Sequence, residues 1–162
     1  MKSFFIITTL LIFLSACSHK NAYTNFGITK EQELAATSFQ STKVKRGEDV
    51  EGIFSAIYLN KVYPQSYNQN EYFYISLYLK EAKEIYNPDA LKKIGITFRL
   101  NSKLPVNIQE LPAENKFSHL GFMKERWNKY YLVIFENQGK ELNLVLESDL
   151  SSSAALAYQK GE

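Results

Sequence analysis

The sequence predicts an all-β fold, an antiparallel β-sandwich of about seven strands with one or two short helices. Three observations carry that expectation. Segments such as residues 72–80 and 94–100 alternate apolar and polar side chains with a period of two, the mark of a strand that covers a core on one side. Aromatic residues that favour strands are plentiful, with 11 Tyr and 11 Phe. Strand-like runs recur at the spacing of a sandwich, with turn-forming residues between them.

Taken in order, the chain opens with a short basic start, Met1-Lys2-Ser3, followed by an uncharged apolar run over residues 4–14. About eleven residues are too few to cross a bilayer, which takes about twenty. The run reads instead as the core of a signal peptide. Residues 18–27 are polar, lack periodicity and read as a spacer, with His19 as a solvated tether residue. Thr29 and Gln32 stand at capping-box spacing and predict a short helix over residues 30–37. Residues 41–49 are charged and turn-like, and the domain is expected to begin there. The division is then a signal peptide at 1–16, a tether with a short helix at 17–40 and a β-sandwich at 41–162.

Within that domain, residues 53–59 and 130–135 are apolar on both faces, as central or covered strands are. In residues 72–80 one face carries Phe73, Ile75, Leu77 and Leu79, and the other Tyr72, Tyr74, Ser76, Tyr78 and Lys80. Residues 94–100 place Ile94, Ile96, Phe98 and Leu100 inward, and residues 142–147 place Leu142, Leu144 and Leu146 inward. Residues 105–111 begin and end near prolines, which suits an edge strand. A last short strand is expected within residues 154–159. Asn87 and Pro88 predict a single helical turn through residue 93. Residues 136–140, with Gly139, predict a hairpin loop.

Leu14-Ser15-Ala16-Cys17 resembles the lipobox of bacterial lipoproteins, an aliphatic residue and two small residues before a cysteine. The resemblance covers residues 1–17. It implies that diacylglycerol is attached to the Cys17 sulfur, that the leader is cut before Cys17, and that the new amino group is acylated, for example with palmitate. Each buried methylene contributes about 0.8 kcal/mol, so two or three chains anchor the protein permanently without a transmembrane helix. In Gram-negative lipoproteins the residue after the cysteine biases sorting, with Asp favouring the inner membrane. Ser18 in that position points to the outer membrane, with the domain facing the periplasm or the cell surface. Cys17 is the one cysteine in the chain, so neither an internal disulfide nor a cysteine nucleophile is expected. The mature domain resembles the immunoglobulin-like sandwiches of small Gram-negative envelope lipoproteins, on the lipobox and the strand count. The Cys-Trp-Cys hallmark of true immunoglobulin domains is absent, so a transthyretin-like or other Greek-key topology fits equally.

The chemistry is less specific. A formal charge of +2 implies neither nucleic acid nor an acidic substrate. His119, in a loop, has no marked serine or acid to complete a nucleophile system. Nothing matches a phosphate loop, the spacing of a metal site or the binding loop of a small-molecule cofactor. Glu48-Asp49-Val50-Glu51 reads as a solvated turn. The candidate binding surface is Tyr72, Tyr74 and Tyr78, with Tyr58, Tyr63 and Tyr67 nearby, facing a protein or glycan partner in the envelope. The competing reading has that face covered by a helix, a loop or the second sheet, or serving as a cross-strand ladder. Trp127 is expected to pack. The expected function is a membrane-anchored, non-catalytic binding or assembly module. The alternatives are an accessory outer-membrane lipoprotein of a secretion or envelope machine, of the transthyretin-like kind, or an envelope hydrolase with an unmarked carboxylate site.

Overall fold

The computed structural model describes residues 27–81, 96–121, 125, 127–148 and 151–160 of the 162-residue chain. The leader, the lipobox with Cys17, Ser18 and His19, and the turn expected after Asn87 lie outside the described residues.

Among the described residues the protein is all-β, with nine strands in one antiparallel sheet and short helices on one face. Helix α1 (Lys30–Ser38) leads into β1 (Gln40–Arg46) and β2 (Asp49–Tyr58), and a single turn, α2 (Leu59–Val62), precedes β3 (Glu71–Leu79). Strands β4 (Thr97–Leu100) and β5 (Asn107–Leu111) follow, then a 3-10 turn (Ser118–Leu120) and β6 (Lys129–Phe135). Strands β7 (Glu141–Glu147), β8 (Ser152–Ser153) and β9 (Leu156–Gln159) complete the sheet. The order is β4-β7-β8-β1-β2-β3-β6-β5, with β9 also paired to β7.

The sheet curls into a half-barrel, so strands far apart in hydrogen-bonding order face one another. The Phe98 ring on β4 lies 5.9 Å from Phe54 on β2 and 5.8 Å from Tyr131 on β6. Inward side chains from both halves form one core, including Phe54, Phe73, Ile75, Val133, Leu144 and Leu156. Two layers therefore pack as in a sandwich, yet the short β8 keeps the hydrogen bonding continuous along one side. Each fully buried Leu or Phe contributes about 1.5–3 kcal/mol.

A second core explains why β2 and β6 read as apolar on both faces. Ile57, Tyr74, Tyr130 and Leu132 on the outer face pack against Ala35 of α1, Leu59 and Val62 of α2, and Phe117 and Leu120 around the 3-10 turn. Helix α1 begins with the expected capping box: the Gln32 amide donates to Thr29 Oγ1 at 3.3 Å, and the Thr29 amide donates to Gln32 Oε1 at 2.9 Å. Its last residue, Ser38, substitutes for a missing strand partner. The Ser38 hydroxyl accepts from the Tyr58 amide at 3.0 Å and donates to the Tyr58 carbonyl at 3.3 Å, just beyond the last β1–β2 pair.

The strand count exceeds the expected seven because β1 and β8 carry no alternating pattern. In β1 only Val44 is buried, and its Ser41 hydroxyl meets that of Ser55 at 2.8 Å. The segment expected as a charged turn is thus mostly a strand, held by its ladder to β2. Gly52 sits opposite Leu79, where a Cβ would overlap the Tyr78 carbonyl oxygen. Here β2 and β3 approach too closely for a side chain.

Candidate functional site

The connection from β2 to β3 builds a cleft. Asn60 pins both ends of that loop, accepting from the Tyr72 amide at 2.9 Å and donating to the Asn70 carbonyl at 2.6 Å. The cleft has a volume of about 350 Å³. Its walls come from the loop residues Lys61, Pro64, Tyr67 and Asn68, together with Asn137 from the β6–β7 turn.

Its floor is a carboxylate with three donors. Glu71 is 1 % exposed, and Tyr58, also buried, donates to Glu71 Oε2 at 2.6 Å. The Gln138 amide donates to Oε1 at 2.9 Å, and the Lys160 ammonium forms an ion pair with the same oxygen. Lys160 also donates to Asn137 Oδ1 at 2.6 Å and to the Gln138 carbonyl at 2.8 Å. These three acceptors account for the ammonium's three protons. Burial, reinforced by the hydrogen bond to Glu71, pushes the Tyr58 hydroxyl far above the ordinary phenol range, so it stays a neutral donor. The geometry fixes Glu71 in place and leaves Tyr58 unable to act as a base near neutrality.

One side of the cleft is aromatic. The Tyr67 ring lies 4.8 Å from Tyr72, 6.1 Å from Tyr63 and 6.3 Å from Phe117. The Lys116 ammonium sits 5.9 Å from the centre of the Tyr67 ring and 5.0 Å from that of Phe117. His119 Nε2 is 2.7 Å from the Tyr63 hydroxyl, which is pushed up by burial and by the charge of Glu31. The His119 carbonyl accepts from Gln32 Nε2 at 2.8 Å, tying α1 to this corner. Neighbouring Ser118 is engaged within its own loop, accepting from the Asn115 amide at 2.8 Å.

The structure places the tyrosine face under cover, as the competing reading had it, and corrects the expectation for Trp127. Tyr72, Tyr74 and Tyr78 do not form an exposed row. Tyr74 is 1 % exposed, beneath Phe117 and stacked on Tyr130, because the helices and the 3-10 turn cover the outer face. Tyr72 is half-buried against Tyr67, and Tyr78 lies further along, half-buried opposite the exposed Ile53. Trp127, expected to pack, is 72 % exposed. It precedes the first paired residue of β6, Lys129, and so falls outside the ladder.

Of the floor residues Tyr58 was named beside the expected tyrosine surface, whereas Glu71 and Lys160 were not, although their signal was present. Phe73, Ile75, Leu77 and Leu79 point inward, so Glu71 continues the inward register. Leu156 and Tyr158 point inward, so Lys160 does the same. An acid and a base that each extend an apolar stripe announce a buried pair.

Among the described residues, no group of three or more His, Cys, Asp or Glu side chains is placed to hold a metal ion. No described helix is long and apolar enough to cross a membrane. Compared with known proteins, the chain matches no family model, no curated protein and no solved structure.

Proposed function

We propose that this protein is a lipid-anchored module of the bacterial envelope that binds a partner at the Glu71 cleft without turning it over. The observation that supports this reading is the closed network of Tyr58, Glu71 and Lys160. Its donors and acceptors are committed to one another, which makes a rigid floor for recognition and leaves no group poised for proton transfer. Glycoside hydrolysis of the usual kind places two carboxyl groups about the scissile bond. The cleft lining contributes one, Glu71.

In this reading, acyl chains on Cys17 hold the domain at the outer membrane, where Ser18 occupies the sorting position. Confinement to that surface raises the effective concentration of the domain for partners held there. The experiment has two arms. Cys17→Ala is expected to abolish labelling with a fatty-acid analogue and to release the protein from the membrane fraction; persistent labelling refutes the anchor. A photoreactive residue at position 67 is expected to trap a partner in cells when Cys17 is intact and to trap far less in Cys17→Ala. Equal trapping with and without the anchor refutes the role given to localisation.

A further inference from the structure

From the cleft's chemistry we infer that its ligand is a neutral sugar ring, presented by a glycan. The inference rests on the proposal that the cleft is the binding site and names the class of ligand it takes.

Three observations carry it. The volume of about 350 Å³ lies at the small end of ligand sites, too small for an ordered peptide element and sufficient for one or two sugar rings. Four of the ten lining residues carry a primary amide, Asn60, Asn68, Asn70 and Asn137. A primary amide offers both donors and an acceptor, which matches a hydroxyl that also does both. Asn60 is committed to the loop and Asn137 accepts from Lys160, but the side chains of Asn68 and Asn70 form one bond between them, from Asn68 Nδ2 to the Gln65 carbonyl at 3.4 Å. Both residues line the cleft beside the half-buried Tyr67, whose ring is a flat apolar surface of the kind on which the C–H face of a sugar rests.

The charge balance disfavours an anion. Lys160 is neutralised by Glu71 at the floor, and Lys61, exposed at the rim, forms no ion pair among the described residues. A site for a carboxylate or phosphate needs a charged, bidentate or convergent set of donors. This floor instead presents a buried carboxylate that already accepts from three donors and an ammonium whose three protons are occupied.

The test uses the full lipidated chain in a detergent without a sugar headgroup. Saturation-transfer NMR and titration calorimetry are run with glucose, galactose, N-acetylglucosamine and its β-1,4-linked dimer. Inorganic phosphate and acetate serve as anionic probes. At least one neutral sugar is expected to bind with a Kd on the order of 1 mM, as an open cleft covering one face of a ring allows. Binding should change little between low and high salt. Asn68→Ala combined with Asn70→Ala is expected to weaken it about tenfold, the effect of losing one or two hydrogen bonds, with the fold unaltered by circular dichroism. Tyr67→Ala should remove the transfer to the ring protons of the sugar.

Salt-sensitive binding of phosphate or acetate without sugar binding overturns the inference and leaves the binding-module reading standing. Sugar binding that survives both sets of substitutions overturns the placement at this cleft. Hydrolysis of the dimer overturns the non-catalytic reading itself, a result separate from either of the others.

Discussion

Replacing Lys160 with Met tests the floor of the cleft most directly. Glu71 is 1 % exposed and the Lys160 side chain 25 % exposed, so the substitution leaves a buried carboxylate without its cation. Removing one partner of a buried pair destabilises by about 3–5 kcal/mol. The loss here is expected near the lower bound, about 3 kcal/mol, for two reasons. Lys160 is partly hydrated already, and Tyr58 and the Gln138 amide still donate to the carboxylate. Glu71→Gln reverses the asymmetry: its carbonyl oxygen can still accept from the Gln138 amide while its NH2 faces Tyr58, whose hydroxyl must turn to accept, and Lys160 turns to water. That change should cost about 1–2 kcal/mol. The double variant leaves no uncompensated buried charge and should be more stable than Lys160→Met alone, giving a coupling of about 2 kcal/mol in the cycle. Urea unfolding followed by circular dichroism measures all three. Trp127, exposed and outside the ladder, is an unsuitable fluorescent reporter. A loss below about 1 kcal/mol for Lys160→Met, with additive single effects, would refute the argument for a buried pair.

Two other outcomes follow from the same packing. Gly52→Ala forces a Cβ against the Tyr78 carbonyl oxygen, so the β2–β3 ladder must open; the expected loss is about 3 kcal/mol, or roughly 10 °C in Tm. An unchanged Tm would mean that the strands do not approach so closely. Burial pushes the Tyr58, Tyr131 and Tyr158 hydroxyls well above the ordinary tyrosine value of 10.0. A raised folded-state pKa gives stability that is complete below pH 10.0 and lost as pH rises further. Ultraviolet titration of the phenols should therefore show this subset ionising only as the circular dichroism signal collapses, and reversible ionisation of all 11 tyrosines in a folded chain would refute it.

What the sequence revealed depended on whether an element announces itself by periodicity. β3, β4 and β7 alternate cleanly in sequence; in β4 and β7 the inward residues are the buried ones, whereas in β3 the outward Tyr74 and Ser76 are buried as well. The capping box at Thr29 and Gln32 is a local device and was readable for that reason. β1 was not, because a strand held by backbone pairing with a single buried residue leaves almost no hydrophobic trace. The helical cover over Tyr74 is a long-range event, in which residues 117–120 return over a strand more than forty positions earlier. The pattern alone therefore left open whether the outward tyrosines were a surface or a covered face. The cleft lay between these cases. Glu71 and Lys160 stand in register with apolar stripes, but their pairing joins strands 89 positions apart, which only the curled sheet brings together.

Tyr58 joins three parts of the molecule that would otherwise respond separately to tension. Its backbone is held by Ser38 at the end of α1, its ring packs against Phe73 at 5.1 Å and Tyr158 at 5.9 Å, and its hydroxyl braces Glu71. A pull on the chain upstream of Gly27 first meets α1, where Ala35 and Ser38 are the buried residues, and then arrives at Tyr58. The β ladders beyond it are held by many bonds, whereas α1 is held by the two Ser38–Tyr58 bonds, the Gln32 bond to the His119 carbonyl and the packing of Ala35. Displacing α1 would thus reach the floor of the cleft through Ser38 and Tyr58. Loosening α1 would therefore loosen the floor of the cleft while the sheet stayed paired.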